Sequence, residues 1–252
     1  MTRLVDLSQE FGMRTQGYVN YPAPKIYYIK HLISHGVVAQ MVETSMHTGT
    51  HLDGPLHFIS NGRDIASIPL ERLYGPGVIV DISDTVGAYE IYKPKHITEK
   101  VEVRKGDILI VHTGYHHYSP EAPGADELKY FLEQPGPARE FAEWALEMEL
   151  RWMGVDAPSM DHPMNGPLRY LQPDHAKKCE GLIKMTLDQA FPPEDKNIIH
   201  FKLFRSELQH VENIGGEIDK LLNQRVPAIG AFPFKFSGGE SALCRVVAFL
   251  ED

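Results

Sequence analysis

Short aliphatic or β-branched runs, separated by Gly, Pro and Asp, recur along most of the chain and set its architecture. Residues 37–42, 77–82, 107–113, 153–156, 228–232 and 242–250 read as strands, being too short for helices and rich in side chains that suit a pleated surface. Helical periodicity is rarer. It is clearest over 137–151, where Phe141, Trp144, Ala145, Met148 and Leu150 oppose Glu140, Glu143, Glu147 and Glu149 across the axis. Residues 199–211, with Phe201, Leu203, Phe204 and Leu208, predict a second helix, and 65–72 a short third. The stretch 164–196 differs: Pro-punctuated and charged, it suits a core poorly and reads as an insertion, a lid or an interface element. The pattern predicts a single α/β domain over 1–252, richer in strand than in helix.

Composition narrows the partners. With 42% hydrophobic and 23% charged residues over 252 positions, the chain can bury a substantial core. A net charge of -9, with no Lys/Arg block to offset it, speaks against nucleic acid and anionic membrane surfaces. The N-terminus carries Arg3 and Asp6 where a leader needs an apolar run, and no apolar stretch is long enough to span a bilayer. Two cysteines, Cys179 and Cys244, make no disulfide framework, which suits the cytoplasm, and Cys244 lies in an apolar strand rather than a nucleophile's setting.

The chemistry concentrates in one segment. His47, His51, Asp53 and His57 fall within eleven residues, a density of metal-preferring ligands that packing does not require. Buried without a metal or a hydrogen-bond network, such groups would cost free energy. Thr48, Gly49 and Thr50 are poor helix residues, so the spacing points to a strand entering a tight loop. There His51 and Asp53 share one side, Gly49 permits the turn, Pro55 fixes the exit and His57 returns to the pocket. His116 and His117, adjacent on a strand, would point opposite ways, and His162 reads as a loop residue. A Gly-x-Ser-x-Gly elbow, a His-Glu-x-x-His helix and a phosphate loop are all absent.

The segment His47-Thr-Gly-Thr-His51-Leu-Asp53-Gly-Pro55-Leu-His57-Phe58 resembles the HxGTHxDxPxHF signature of the cyclase family, which includes bacterial kynurenine formamidases and isatin hydrolases. Gly154-Val-Asp-Ala-Pro-Ser-Met160 and Phe234-Lys-Phe-Ser-Gly-Gly-Glu-Ser-Ala-Leu-Cys-Arg245 are similar to further stretches of that family. The resemblance implies a swivelling β/β/α fold, with a central mixed sheet or barrel flanked by helices. It also implies metal ligation by His47, His51 and Asp53, with Asp53 bridging when two ions are bound, and His57 as the general acid/base.

In the family, further ligands are a His on a helix and a Glu twelve residues later, followed by Asn; here His200, Glu212 and Asn213 fit. A straight helix would hold that pair about 18 Å apart, so the helix must break or feed a strand. His175 and His210 are weaker rivals for the helix position. Tyr21, in Tyr-Pro-Ala where kynurenine formamidases have Trp-Pro-Gly, stands as a substrate-pocket residue.

These readings imply one or two divalent ions, Zn or Mn, that activate water and polarise a carbonyl while His57 moves the proton. The expected reaction is hydrolysis of a C–N bond in a small cyclic amide or imide, or in an N-acyl aryl amide. A lactone or ester hydrolase is the alternative within enzymes, and a non-catalytic metal-dependent binding protein the alternative outside them. The family's dimers and tetramers imply a homodimer or homotetramer.

Overall fold

A computed structural model describes residues 2–251. Its strands are β1 (Thr2–Asp6), β2 (Lys25–Lys30), β3 (Ala39–Glu43), β4 (His51–Asp53), β5 (Tyr74–Asp81), β6 (Ile91–Tyr92), β7 (Ile108–His112), β8 (Gly136–Pro137), β9 (Trp152–Val155), β10 (Gln209–Glu212), β11 (Gln224–Pro233) and β12 (Ser241–Glu251). The large sheet runs β1-β12-β11-β5-β7-β9-β10-β4, and β4 pairs back onto β12. Seven strands therefore close into a mixed barrel, and β1 extends it along the free half of the β12 edge. The β5–β7, β7–β9 and β9–β10 pairs are parallel, the remaining barrel pairs antiparallel. This mixed α/β barrel is the architecture that the family resemblance implies.

Alternation sorts the strand residues into two cores. Leu52, Ile79, Ile108, Ile110, Trp152, Val211, Ile229 and Val246 belong to one cluster, fed by every barrel strand, as the inside of a closed barrel requires. Val78, Val80, Leu109, Val111, Met153 and Val155 face the other way and pack against Phe141, Ala142 and Ala145 of the helix Arg139–Glu147, and against Ile199 and Leu203 of the helix Ile198–Arg205.

All six strand expectations fall on strands, with ends shifted by a few residues. The helix over 137–151 shortens to Arg139–Glu147, because Ala138 is extended and the ends fray into turns. The helix expected over 199–211 stops at Arg205; Glu207 takes a positive φ of 58° and the chain turns into β10. The expected helix over 65–72 is two single turns, Ile65–Ser67 and Leu70–Leu73, because Pro69 interrupts it. Residues 164–196 are less foreign to the core than their charge suggests: Met164, Leu168, Cys179, Leu187 and Phe191 are buried on the inner sides of short helices.

The hairpin β2–β3 forms its own two-stranded sheet. It leaves Tyr27, Tyr28, Ile33, Val38 and Met41 at least half exposed or nearly so. No helix among the described residues is long and apolar enough to cross a membrane.

Candidate metal centre

The site begins with the register of two short strands. β4 and β10 pair antiparallel with Asp53 opposite His210 and Glu212 opposite His51. Leu52 and Val211, between them, point into the barrel. The two-residue period then turns His51, Asp53, His210 and Glu212 to the outer face together. Gly49, at a φ of +60°, makes the tight entry to β4, and Pro55 opens the single turn Pro55–His57 that carries His57 back.

The helix Ile198–Arg205 covers this face and brings His200 to it. His200 Nε2 lies 3.5 Å from Glu212 Oε1 and 3.8 Å from Asp53 Oδ2. The twelve-residue interval closes because the helix breaks and feeds a strand.

His51 and His200 are aimed by what their other nitrogen touches. His51 Nδ1 donates to the Gly49 carbonyl at 2.8 Å, which leaves Nε2 3.3 Å from Asp53 Oδ1 and 3.6 Å from Glu212 Oε2. His200 Nδ1 meets Asp161 Oδ2 at 2.6 Å, while the same carboxylate accepts from the Ile199 and His200 amides at the helix start. His210 Nε2 lies 3.3 Å from Glu212 Oε1 and 3.5 Å from Asp53 Oδ2. His47 spans Asp53, at 3.1 Å from Nδ1, and Glu240, at 2.8 Å from Nε2. Glu240 also lies 3.0 Å from His57 Nδ1.

Several of these groups have no hydrogen-bond partner although they are buried: His51 Nε2, both Asp53 oxygens and both His210 nitrogens. An orphaned buried carboxylate is costly, and His51 Nε2, His210 Nε2 and the two Asp53 oxygens, gathered within one cluster, are what a metal's ligand shell requires. Asp53, His200, His210 and Glu212 can offer four atoms within 4.8 Å of one another, as can His47, Asp53 and His57 with three. The donors, imidazole and carboxylate, suit Zn²⁺ or Mn²⁺, and Asp53 belongs to both sets.

The electrostatics agree. Burial pushes Asp53 up, but His47 and His51 outweigh it and hold the carboxyl well below its usual range. Glu212 is lowered too, burial being outweighed chiefly by His210. Burial opposes a charge on His47, yet Asp53 and Glu240 push it up to about 11. His210 rises to about 9 in the same way, against burial and through Asp53 and Glu212. Burial dominates at His51 and lowers it. Glu240, raised by burial but lowered more by His47 and His57, falls to about 2.

A cavity of about 230 Å³ opens onto this cluster, lined by Tyr18, Tyr21, His57, Phe58, Pro163 and Pro167 among others. Tyr21 stacks on His47, with ring centroids 5.5 Å apart and planes 17° apart. All seven residues singled out from the sequence, His47, His51, Asp53, His57, His200, Glu212 and Tyr21, thus gather around one cavity or its floor. Two more belong with them. His210 ranks low in sequence only while it is assigned to a helix; on a strand, its two-residue spacing from Glu212 places both on one face. Glu240 sits in the Gly-Gly-Glu turn between β11 and β12, and its role needed the fold to bring it to His47.

Other histidines stand apart from the ligand cluster, though His162 lines the cavity. His175 bonds the Tyr89 hydroxyl at 2.6 Å, and His162 caps a turn through Met164, its ring held neutral by burial with a pKa lowered to about 4. His116 and His117 lie in the single turn Tyr115–Tyr118 instead of on a strand, and neither lines this cavity.

Comparison with known proteins bears on the His47–His57 part of the site. The family model described as "Putative cyclase" matches residues 5–162. A kynurenine formamidase of Bacillus thuringiensis subsp. konkukian is 30% identical over 119 residues, 46% of this chain and 50% of the relative. One of Bacillus cytotoxicus is 29% identical over 122 residues, 48% and 51% of the two chains. The chain thus matches about half the length of these curated relatives. Among solved structures, isatin hydrolase A from Ralstonia solanacearum superposes with a TM-score of 0.74 at 21% identity, over 99% of this chain and 92% of the other. An isatin hydrolase bound to the product analogue thioisatinate gives 0.77 at 19% identity, over 100% and 93%. At those identities the likeness is one of fold.

Proposed function

This chain belongs to the cyclase family, and from that premise we propose that it is a metal-dependent hydrolase cleaving a C–N bond of a small cyclic amide or imide, or of an N-acyl aryl amide. The observation that carries the reading is the pair of buried carboxylates, Asp53 with both oxygens orphaned and Glu212 beside it, ringed by imidazole nitrogens at the floor of a small cavity. His47, His51, Asp53, His200 and Glu212 would hold one or two divalent ions, Zn or Mn, and His210 joins them. A divalent ion held there supplies Lewis acidity, acidifying water and polarising a carbonyl.

The chain's own residues do the rest. Asp53 and Glu212 provide the negative charge that retains the ion, and Asp161 and the Gly49 carbonyl keep the His200 and His51 rings turned toward it. An amide's leaving nitrogen must be protonated, and His57 stands at the cavity wall for that task. Glu240, ionised across the ordinary pH range, binds His57 Nδ1 and so leaves Nε2 to carry the mobile proton. Tyr21, Tyr18 and Phe58 offer flat walls suited to an aromatic substrate, and a cavity near 230 Å³ admits one or two fused rings. Residues Gly166 and Pro167 reach the same cavity, so the 164–196 segment acts as part of its lid.

The protein works as a homodimer or homotetramer. A lone two-stranded hairpin is marginal in water, and the exposed Tyr27, Tyr28, Ile33, Val38 and Met41 form the kind of apolar surface a second copy covers. Two free cysteines, Cys179 buried and Cys244 half-buried, suit a reducing cytoplasm.

The test is metal analysis joined to product analysis. Protein loaded with Zn or Mn should open isatin, or deformylate an N-formyl arylamine, with activity lost on chelation and restored by the ion. Loss of metal from the Asp53→Asn variant without any turnover by the loaded wild type on amides, imides or lactones would leave a binding protein instead.

A further inference from the structure

The inward-facing residues of three parallel barrel strands are apolar until the strands reach the barrel mouth. Ile79 is followed by Asp81 on β5, Ile108 and Ile110 by His112 on β7, and Trp152 by Gly154 and then Asp156 just past β9. Asp81 and His112 are direct register partners. Gly114, at a φ of +80°, lets the chain turn after β7 and enter Tyr115–Tyr118, which returns His116 and His117 over the same spot. The turn Ile218–Leu221, whose Ile218 and Leu221 plug the interior core, carries Asp219 to meet them.

The imidazoles are held from behind by carboxylates. His112 Nδ1 lies 2.8 Å from Asp81 Oδ1, and His116 Nδ1 lies 3.0 Å from Asp156 Oδ2. Asp156 is itself fixed by the Thr113 and Gly114 amides at 2.7 and 2.8 Å and by the Thr113 hydroxyl at 2.6 Å. With Nδ1–H donated backward, Nε2 of each ring carries the lone pair forward. His112 Nε2 lies 3.4 Å from Asp219 Oδ1; His116 Nε2 and His117 Nε2 each lie 3.5 Å from Asp219 Oδ2.

In a tetrahedral site with bonds of about 2.1 Å, ligand atoms stand about 3.4 Å apart, close to the spacing between each imidazole and the Asp219 carboxylate. His112 is 3% exposed, and its Nε2 is buried without a hydrogen-bond partner. That orphaned atom points into the gap among the four groups, all of whose ligand atoms lie within 4.8 Å of one another. None of these four residues belongs to the Asp53–Glu212 centre.

We propose that His112, His116, His117 and Asp219 form a second transition-metal site, of the kind that takes Zn²⁺, at the mouth of the barrel. Three imidazoles and one carboxylate fill a tetrahedral shell and leave no open position, which is the pattern of a structural ion. The ion clasps the end of β7 to the turn that plugs the barrel. Its outer ligands, His117 and Asp219, are about half exposed, so the ion enters and leaves from solvent.

The test is calorimetric titration of the chelator-stripped full chain with Zn²⁺. His117→Ala combined with Asp219→Asn removes two ligands on the solvent side and spares the core. Wild type should bind one equivalent more than the double variant, and Zn²⁺ should raise its melting temperature further. The same equivalent should survive in His51→Ala, where the first centre is broken, and vanish when the three substitutions are combined. Co²⁺ in the His51→Ala chain should give the visible absorption of four-coordinate cobalt. Equal stoichiometry in the wild type and the double variant, or no Zn²⁺-dependent equivalent in His51→Ala carrying an intact mouth cluster, would overturn the proposal. The two centres are read separately, so failure of one leaves the other standing.

Discussion

Filling the Asp53–Glu212 centre must expel protons, and the structure sets how many. In the metal-free chain His47 is pushed up to about 11 and His210 to about 9, because the carboxylates around them outweigh burial. Both rings are therefore charged at neutral pH, and a charged ring has no lone pair to offer a metal. Asp53 and Glu212, both lowered, are already ionised and release nothing. The sign follows: a raised pKa favours the protonated, metal-free state at low pH, so affinity rises with pH. Up to about pH 8 two protons leave per loaded centre, and the apparent association constant climbs about 100-fold per pH unit. Near pH 9 the slope falls toward one, because His210 has by then lost its proton unaided. At neutrality the His210 proton alone costs about 3 kcal/mol of metal affinity, about two pKa units at 1.36 kcal/mol each. The assay is Zn²⁺ calorimetry at neutral pH in two buffers of different ionisation enthalpy, using the H117A/D219N chain so that only this centre reports. Release of fewer than one proton per loaded centre, or affinity independent of pH, would refute ligation by His47 and His210.

His57→Ala should keep its metal yet lose about 10²- to 10⁴-fold in kcat/KM on an amide; metal lost together with activity would make His57 a ligand instead. Asp161→Asn should weaken metal binding about 10- to 100-fold while leaving the fold intact, as freed rotation of the His200 ring requires; unchanged affinity in a chelator competition would remove that positioning role. Ile33→Asp, on the exposed end of the hairpin, should shift the mass measured by light scattering toward the monomer, and an unchanged mass would move the subunit contact elsewhere. Leu52→Ala should cost about 2–5 kcal/mol in denaturant unfolding, because its side chain fills the barrel between two ligand positions; a cost under 1 kcal/mol would mean the barrel interior collapses around the gap.

What was legible in the sequence was what is local. His47, His51, Asp53 and His57 stand within one turn-strand-turn unit, so their spacing already encodes a shared pocket. Five of the seven barrel strands, β5, β7, β9, β11 and β12, were legible because their aliphatic runs are short and bounded. His200 and Glu212 needed the family resemblance, since twelve residues of assumed helix would have separated them. His210 stayed hidden for the same reason: the apolar residues up to Leu208 extend a helical pattern past the point where Glu207 breaks it. Glu240 and the mouth cluster are tertiary. Asp219 meets His112 only because a barrel closes, and no periodicity along the chain records closure.

One physical device places both clusters. β4 is only three residues long, yet it is hydrogen-bonded on one edge to β10 and on the other to β12, with Asp53 opposite both His210 and Ser241. A slip of one residue in either pairing would turn Leu52 outward and Asp53 into an apolar barrel, which costs a buried apolar side chain and an unpaired charge at once. The hydrophobic interior therefore enforces the ligand geometry more firmly than the polar groups themselves, whose mutual repulsion as Asp53 and Glu212 opposes their approach. At the barrel mouth the same alternation, continued one step beyond the last apolar layer, delivers Asp81, His112 and Asp156 to one place. Charged groups collect under a helix and at the open end of the barrel because the outward apolar series stops at β4 and β10 and the inward one stops at the mouth. Strand register thus orients His51, Asp53, His210 and Glu212 in the one cluster and His112 in the other before any ion arrives, so little reorganisation of these groups opposes binding.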